Sequence, residues 1–231
     1  MDSDAIGQFI LYMVALIFSL SVHESAHAWM SNQFGDDLAR LQGRISLNPV
    51  SHVDPIGTLL FPAIAFFTGA PLIGWARPTP VNPLKWRDKR VANFWVSAAG
   101  VISNAIIATT AGILMRVLFE ANLVGLALHP FYGLVAVAQS NSLVAEGAAK
   151  LLSIFFSLNV ALAVFNLLPI PPLDGSKILS SVLPPSFEPA LEGLERFGFM
   201  LLFIAIFTGV FGVIFRVVMP LAAYPFVIGL S

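Results

Sequence analysis

The sequence predicts an all-α polytopic membrane protein with about five or six transmembrane helices and one re-entrant or extended segment. Hydrophobic residues make up 57% of the 231 residues and charged residues only 11%, with a mean hydropathy of +0.84. Soluble domains are usually about 45–50% apolar and about 25% charged. The excess of apolar residues indicates a surface that faces lipid as well as water, so the lipid bilayer is the expected environment.

The apolar stretches define the predicted helices and a single membrane-embedded domain over residues 1–231. The first stretch, residues 5–31, carries no charge from Ala5 to Val22, which is about the length that spans a bilayer. No positive charge precedes it, so we interpret it as a retained helix rather than a signal peptide. The other apolar stretches are residues 56–75, 91–119, 121–140, 144–168 and 197–230.

Residues 56–75 are the predicted re-entrant segment, because Pro62, Gly69 and Pro71 interrupt them. Seven of the twelve Lys and Arg residues lie between positions 40 and 90. The positive-inside rule places that region on the cytoplasmic face, and we expect the membrane to be the cell membrane. A segment that enters the membrane and returns keeps both flanking polar loops on that face. The N-terminus is then outside, and the first helix runs inward.

Charge and cysteine content limit the possible ligands. The net charge is −1 and there is no long basic run, so no nucleic-acid partner is expected. The chain has no cysteine, which excludes disulfides, thiol nucleophiles and thiolate metal ligands. Histidine and carboxylate side chains must therefore hold any metal. The four histidines are His23, His27, His52 and His129.

The string His23-Glu24-Ser25-Ala26-His27, near the inner end of the first helix, is the strongest chemical signal. Positions i and i+4 share one helix face, so the imidazoles of His23 and His27 can converge on one zinc ion per chain. Glu24 is placed to reach a water molecule at that ion as general base. Three ionisable groups within five residues of a membrane helix are costly and are usually functional.

A catalytic zinc requires a third protein ligand and an open position. Asp174 stands in the proline-bounded segment 166–175, just beyond the third strong helix. Prolines end that helix and a glycine permits a tight turn, so the segment can hold one carboxylate rigidly. Alternatively, Asp174 caps the helix that follows it. His52 and His129 are further possible ligands.

The two motifs together resemble the site-2 protease family (M50) of intramembrane zinc metalloproteases. In that family a membrane H-E-x-x-H is followed far downstream by an N-x-x-P-x-x-x-L-D-G-like motif. The resemblance implies that His23, His27 and Asp174 bind zinc. It also implies that Glu24 is the catalytic base and that Asn166 orients substrate or stabilises the oxyanion. The residues that match the second motif are Asn166, Pro169, Leu173, Asp174 and Gly175.

The resemblance extends over residues from about 20 to 180 and indicates a short member without a PDZ or CBS domain. A third family motif, G-P-x-x-N, is matched in part by Gly100 and Asn104, with Val101 in place of proline. Asn104 is therefore a candidate substrate-binding residue. Alternatively, it forms an interhelical hydrogen bond, which is a common use of asparagine in membranes.

His52 lies in residues 47–57, which resemble the segment after the zinc helix in short members of the family. It is a candidate hydrogen-bond partner behind the metal ligands, a gate, or an extra ligand in a resting state. The alternative, which we favour slightly, is a polar histidine in a turn formed by neighbouring Asn, Asp and Pro residues. Its role is open at this point.

These residues predict an enzyme, a zinc metalloendopeptidase that cleaves a transmembrane or membrane-proximal segment of a membrane protein, as in regulated intramembrane proteolysis. Zinc polarises a water molecule, and Glu24 accepts its proton and later passes it to the leaving amine. The alternative is a transporter coupled to zinc or protons, since His, Asp and Glu at membrane depth also mark ion paths. Against it, the chain lacks repeated halves. A haem protein would leave Glu24 and Asp174 unexplained, and the intact Glu24 argues against an inactive scaffold.

Overall fold

A computed structural model describes residues 3–69, 74–140 and 142–229 of the chain. The described residues fold mainly into α-helices, with short 3-10 and π-helical turns and one pair of strands. The α-helices and strands in chain order are α1 Ser3–Gln33, α2 Leu38–Leu41, α3 Phe61–Thr68, α4 Lys89–Glu120, β1 Val124–His129, β2 Gly133–Ala138, α5 Leu143–Leu167, α6 Asp174–Val182, α7 Glu188–Phe207 and α8 Val210–Val227.

Two compact units divide the chain, and α1, α4 and α5 each contribute to both. The expectation of a single domain stays a prediction. The first unit comprises residues 1–19, 104–162 and 210–231, and the second comprises residues 20–103 and 163–209.

Four helices of the described chain are long and apolar enough to cross a membrane, judged by length and composition. The all-α polytopic class is therefore confirmed, whereas the predicted number of five or six crossings stays a prediction. The four candidate spans are Asp4–Gln33, Lys89–Glu120, Leu143–Leu167 and Val210–Val227.

The apolar segment 121–140, whose structure the sequence left ambiguous, forms an antiparallel hairpin in the first unit. Val124 pairs with Ala138 at the open end, and His129 pairs with Gly133 at the turn. Two short apolar runs separated by a turn fit strands as well as helices, and only their brevity favours strands. The hairpin adds one small β element to a protein that is otherwise helical.

Residues 55–68 are helical, whereas residues 74–80 have no regular secondary structure. The helical part, Pro55–Thr68, falls among the apolar helices of 10 to 17 residues, which is shorter than the ~20 residues that span a bilayer. On the return path, the Trp75 N–H donates to the Gly57 carbonyl at 3.2 Å and the Arg77 N–H donates to the His52 carbonyl at 2.8 Å. Trp75 and Arg77 therefore lie beside residues at the start of this segment, as the predicted re-entrant path requires.

The loops on the two sides of this excursion are bonded to each other. The Asn82 N–H donates to Asp36 at 2.7 Å, and the Lys85 ammonium contacts the Asp37 carboxylate at 2.5 Å. Asp36 and Asp37 follow α1, whereas Asn82 and Lys85 precede α4. The end of α1 and the start of α4 therefore lie at the same end of the second unit.

Candidate metal centre

Three potential ligand atoms converge in the second unit. The His27 Nε2 atom lies 3.0 Å from the His23 Nε2 atom. The Oδ2 atom of Asp174 lies 3.3 Å from the first imidazole nitrogen and 3.2 Å from the second. Within the described residues, this is the group of His, Asp and Glu side chains that is arranged to hold a metal ion. The structure thus brings together three residues that the sequence analysis placed in one site.

The sequence explains why these atoms meet. His23 and His27 are four residues apart on α1 and therefore share one face of that helix. Asp174 opens α6, which begins without any side-chain capping bond, so the carboxylate is directed at the imidazoles rather than used as a cap. Gly175 permits this placement, because a Cβ atom there would collide with the Leu167 carbonyl at the end of α5.

The imidazole of His27 is oriented by a backbone carbonyl. Its Nδ1 atom donates to the Val96 carbonyl of α4 across 2.6 Å, and a carbonyl can only accept. Nδ1 therefore carries a proton, and Nε2 is the nitrogen that is available to a metal. The relative exposures of His23, His27 and Asp174 are 5%, 9% and 7%, so protein walls surround the site on most sides.

Gly100 of α4 leaves the space that the imidazoles occupy. A Cβ atom at this position would lie 2.5 Å from the His23 Cε1 atom and 2.5 Å from the His27 Nε2 atom. Real side chains do not approach so closely, so any residue other than glycine would push the ligands apart. The glycine of the partial G-P-x-x-N motif therefore has a packing reason to be there.

The donor set fits zinc. A tetrahedral zinc ion lies about 2.0–2.2 Å from imidazole nitrogen and carboxylate oxygen, which sets ligand atoms about 3.3–3.6 Å apart. The separations of 3.0 to 3.3 Å among His23, His27 and Asp174 are slightly shorter than this range. Two imidazoles and one carboxylate also match the composition of catalytic zinc sites, which keep a fourth position open.

The charge state of Asp174 suits a metal ligand. Burial by itself raises the pKa of its carboxyl, but the coulombic attraction of His27 and hydrogen bonds with both imidazoles lower it below its usual range. The carboxyl is therefore ionised at neutral pH. An ionised carboxylate beside two imidazoles attracts a divalent cation.

Glu24 is half-buried on α1, and Thr79 of the segment 74–80 donates two hydrogen bonds to it. The Thr79 N–H donates to the Glu24 Oε2 atom at 2.8 Å, and the Thr79 hydroxyl donates to the Glu24 backbone carbonyl at 2.9 Å. One carboxylate oxygen is thus fixed by a backbone donor. Sequence reasoning missed Thr79, because a contact across 55 residues leaves no local pattern.

His52 is buried beside the same segment, with a relative exposure of 1%. Its Nε2 atom donates to the Ser46 carbonyl at 2.7 Å, and its backbone carbonyl accepts from Arg77. His52 is not part of the candidate metal-binding group of His23, His27 and Asp174. The structure therefore places it as a loop residue that ties the segment before the helix to the segment after it.

The two asparagines of the sequence analysis lie in different units. Asn166 is half-buried on the last turn of α5, in the second unit. Asn104 belongs to the first unit and is fully buried, and its amide donates to the Asn159 Oδ1 atom at 2.8 Å. The Asn159 amide in turn donates to the Ser19 hydroxyl at 2.8 Å. Asn104 thus makes the interhelical hydrogen bond that was its alternative role.

Comparison with known proteins gives a consistent family. The sequence profile of peptidase family M50 matches residues 11–205. "Putative zinc metalloprotease YwhC" of Bacillus subtilis is 38% identical over 196 residues, covering 85% of this chain and 80% of the relative. Rip2 of Mycolicibacterium smegmatis, described in the same words, is 28% identical over 204 residues, covering 88% and 69%. No solved structure matches significantly.

The chain is a membrane zinc metalloprotease, and its buried group of two histidines and one aspartate lies in part on a helix apolar enough to span a membrane. The chain belongs to peptidase family M50. The predicted family, enzyme class and zinc cofactor are thereby confirmed.

Proposed function

We propose that the protein is an intramembrane endopeptidase that cleaves a transmembrane or membrane-proximal segment of a membrane protein, as a step in regulated intramembrane proteolysis. The observation that carries this proposal is the buried convergence of His23, His27 and Asp174. Two of these residues lie on a helix that is apolar enough to cross a membrane. A site at that position serves substrates that reach it through the bilayer.

In the proposed mechanism, His23, His27 and Asp174 would hold zinc, which would supply activation of a water molecule and polarisation of a carbonyl. Glu24 is the general base. With Oε2 bonded to the Thr79 N–H, Oε1 is the oxygen that accepts the proton of the attacking water. Glu24 then delivers this proton to the leaving amine.

The tetrahedral oxyanion requires a hydrogen-bond donor. We assign this role to the amide of Asn166, which lies in the second unit with the metal ligands. Asn104 is a second candidate, although it would first have to exchange its hydrogen bond with Asn159. Because helical peptide bonds are shielded by their own hydrogen bonds, the substrate helix must unwind locally before cleavage.

The proposed location is the cell membrane, with the site nearer the cytoplasmic side. This orientation rests on the concentration of Lys and Arg between residues 40 and 90. Both loops that flank the excursion of residues 55–80 carry part of that charge. Water then reaches the site from the cytoplasm.

The test measures zinc per chain and cleavage of a single-span membrane protein by the purified protein. We expect one zinc ion in the wild type and zinc loss in His23→Ala and Asp174→Ala. Glu24→Gln should keep zinc, because Glu24 is not a ligand, and should lose essentially all turnover.

Cleavage by Glu24→Gln at the wild-type rate would contradict the assigned base. Zinc retained in Asp174→Ala would move the third ligand elsewhere. Metal-dependent uptake into vesicles without proteolysis would replace the proposal by the transporter alternative.

A further inference from the structure

Arg44 is a buried cation whose hydrogen-bond partners are backbone carbonyls. Its relative exposure is 5%. Its guanidinium donates from Nη1 to the Ser51 carbonyl, and from Nη2 to the carbonyls of Arg77 at 2.6 Å and Pro78 at 2.5 Å. In the part of the chain that the structure describes, no carboxylate lies within ion-pair distance of it.

A buried guanidinium without a paired carboxylate is costly. A polar or apolar residue could fill the same space at lower cost if only packing were needed. The arrangement is therefore best explained by what the guanidinium holds, which is the segment 74–80.

The two carbonyls bonded to Nη2 come immediately before Thr79. Pro78 and Pro80 have no N–H, so Thr79 supplies the one backbone donor of the sequence 78–80. That donor is the group that bonds to the Glu24 carboxylate at 2.8 Å. A guanidinium fixed on residues 77 and 78 thus fixes the direction of the next N–H.

Arg44 and Glu24 also interact through their charges. Glu24 and Arg44 attract each other, and Arg77 repels Arg44. The positive charge of Arg44 is therefore close enough to attract the Glu24 carboxylate, which also accepts the hydrogen bond from the Thr79 N–H.

We propose that Arg44 is a positioning residue for the general base, acting through the carbonyls of Arg77 and Pro78 to hold the Thr79 N–H on Glu24. The inference rests on the proposed function, because it takes Glu24 as the base. The planar fork of arginine reaches several carbonyls at once, whereas the single ammonium of lysine does not. Arg44→Lys keeps the charge and removes this fork.

The experiment compares full-length wild type, Arg44→Lys and the control Arg40→Lys in nanodiscs. Arg40 is a matched control, because it lies in the same loop region with its side chain 56% exposed. Three quantities are measured: zinc per chain, kcat and KM for a single-span substrate, and hydrogen exchange of the Thr79 amide. Thr79 is well suited to exchange, because the prolines on both sides carry no amide hydrogen.

For Arg44→Lys we expect unchanged zinc, a KM within about twofold, faster exchange at Thr79 and a kcat lower by about 10- to 100-fold. A misplacement of about 1 Å in a catalytic group is sufficient for a loss of this size. Arg40→Lys should behave as wild type in all three measurements.

A second variant, Thr79→Val, keeps the N–H and removes the hydroxyl bond to the Glu24 carbonyl. It keeps the inference testable if Arg44→Lys does not fold. We expect a smaller fall in kcat with zinc retained. In the double variant the two losses should be less than multiplicative, because both changes act through Glu24.

Wild-type kcat and exchange in Arg44→Lys would overturn the inference. Loss of zinc together with activity would also overturn it, because Arg44 would then support the metal centre rather than the base. If the wild type cleaves no membrane substrate, the proposed function fails. The exchange of Thr79 then decides separately whether Arg44 holds this donor on Glu24.

Discussion

Gly100 leaves room for the candidate metal centre, because it has no side chain. The nearest atoms that an added Cβ would meet, His23 Cε1 and His27 Nε2, both lie 2.5 Å away. The His27 imidazole cannot move freely, because it is hydrogen-bonded to the Val96 carbonyl. A methyl group at position 100 must therefore distort the ligand set.

We predict that Gly100→Ala lowers zinc affinity at least about tenfold, the lower end of what changes behind metal ligands typically cost. Zinc retention is measured by competition with a chelator. Gly147→Ala on α5 is the control, because an added Cβ there meets open space. The control should retain zinc and be slightly stabilised, by about 0.5–1 kcal/mol. Equal zinc affinity in both variants would refute the packing argument.

The surroundings of His52 predict that the stability of the protein depends on pH. Burial lowers the pKa of His52 below the ordinary value of 6.5, and the positive charge of Arg44 lowers it further. The hydrogen bond to Ser46 and the negative charge of Glu24 raise it, but they do not outweigh burial. The unfolded chain therefore binds the proton at a higher pH than the folded protein does. The stability that neutral His52 contributes is complete above pH 6.5 and is lost as the pH falls below it.

The prediction is that the melting temperature of wild type falls more steeply than that of His52→Gln between about pH 8 and about pH 5, where unperturbed histidine titrates. Glutamine can donate to the Ser46 carbonyl but does not ionise. All other residues are identical in the two proteins, so their contribution cancels in the comparison. Parallel melting curves would show that His52 does not cause the dependence.

At the scale of elements, α4 supports the helix that begins with Asp174. The Arg90 side chain donates to the last carbonyls of α6, those of Ser181 at 2.5 Å, Val182 at 3.0 Å and Leu183 at 3.0 Å. A cation at a helix C-terminus satisfies free carbonyls and opposes the negative end of the helix dipole. The far end of α6 is thus fixed to the helix that also carries Gly100.

We predict that Arg90→Ala loosens α6 by about 1 kcal/mol, at the upper end for an exposed charge at a helix terminus. Zinc should then dissociate to a chelator up to about fivefold faster. Lys89→Ala is the control, because it removes the same charge from an exposed position one residue earlier. Identical dissociation rates in the two variants would mean that α6 does not need this bond to present Asp174.

The elements also separate what sequence can and cannot predict. The i, i+4 spacing of His23 and His27 is local, so it can be read directly. Asp174 required the family resemblance, because its partners lie about 150 residues away. Arg44 and Thr79 bond to backbone atoms and to one distant carboxylate, and backbone partners leave no mark on the pattern of residue types. The hairpin of residues 124–138 was ambiguous because its two six-residue runs suit either period.

At the scale of the molecule, the path of residues 55–80 decides how the chain is threaded through the membrane. A full crossing would put the loop after α1 and the loop before α4 on opposite sides. The Lys85–Asp37 contact and the Asn82–Asp36 hydrogen bond instead join these loops directly. The two bonds therefore favour the re-entrant path that the sequence predicts.

The absence of cysteine allows this threading to be tested with single introduced cysteines. Leu41 and Leu84 suit this purpose, because they are 69% and 80% exposed and lie in the two loops. We expect Leu41→Cys and Leu84→Cys to react with a membrane-impermeant maleimide from the same side, which is the cytoplasmic side in oriented vesicles. Asp4→Cys should react from the outside. Labelling of positions 41 and 84 from opposite sides would rule out the re-entrant path, whereas labelling of both from the outside would keep the path and invert the orientation.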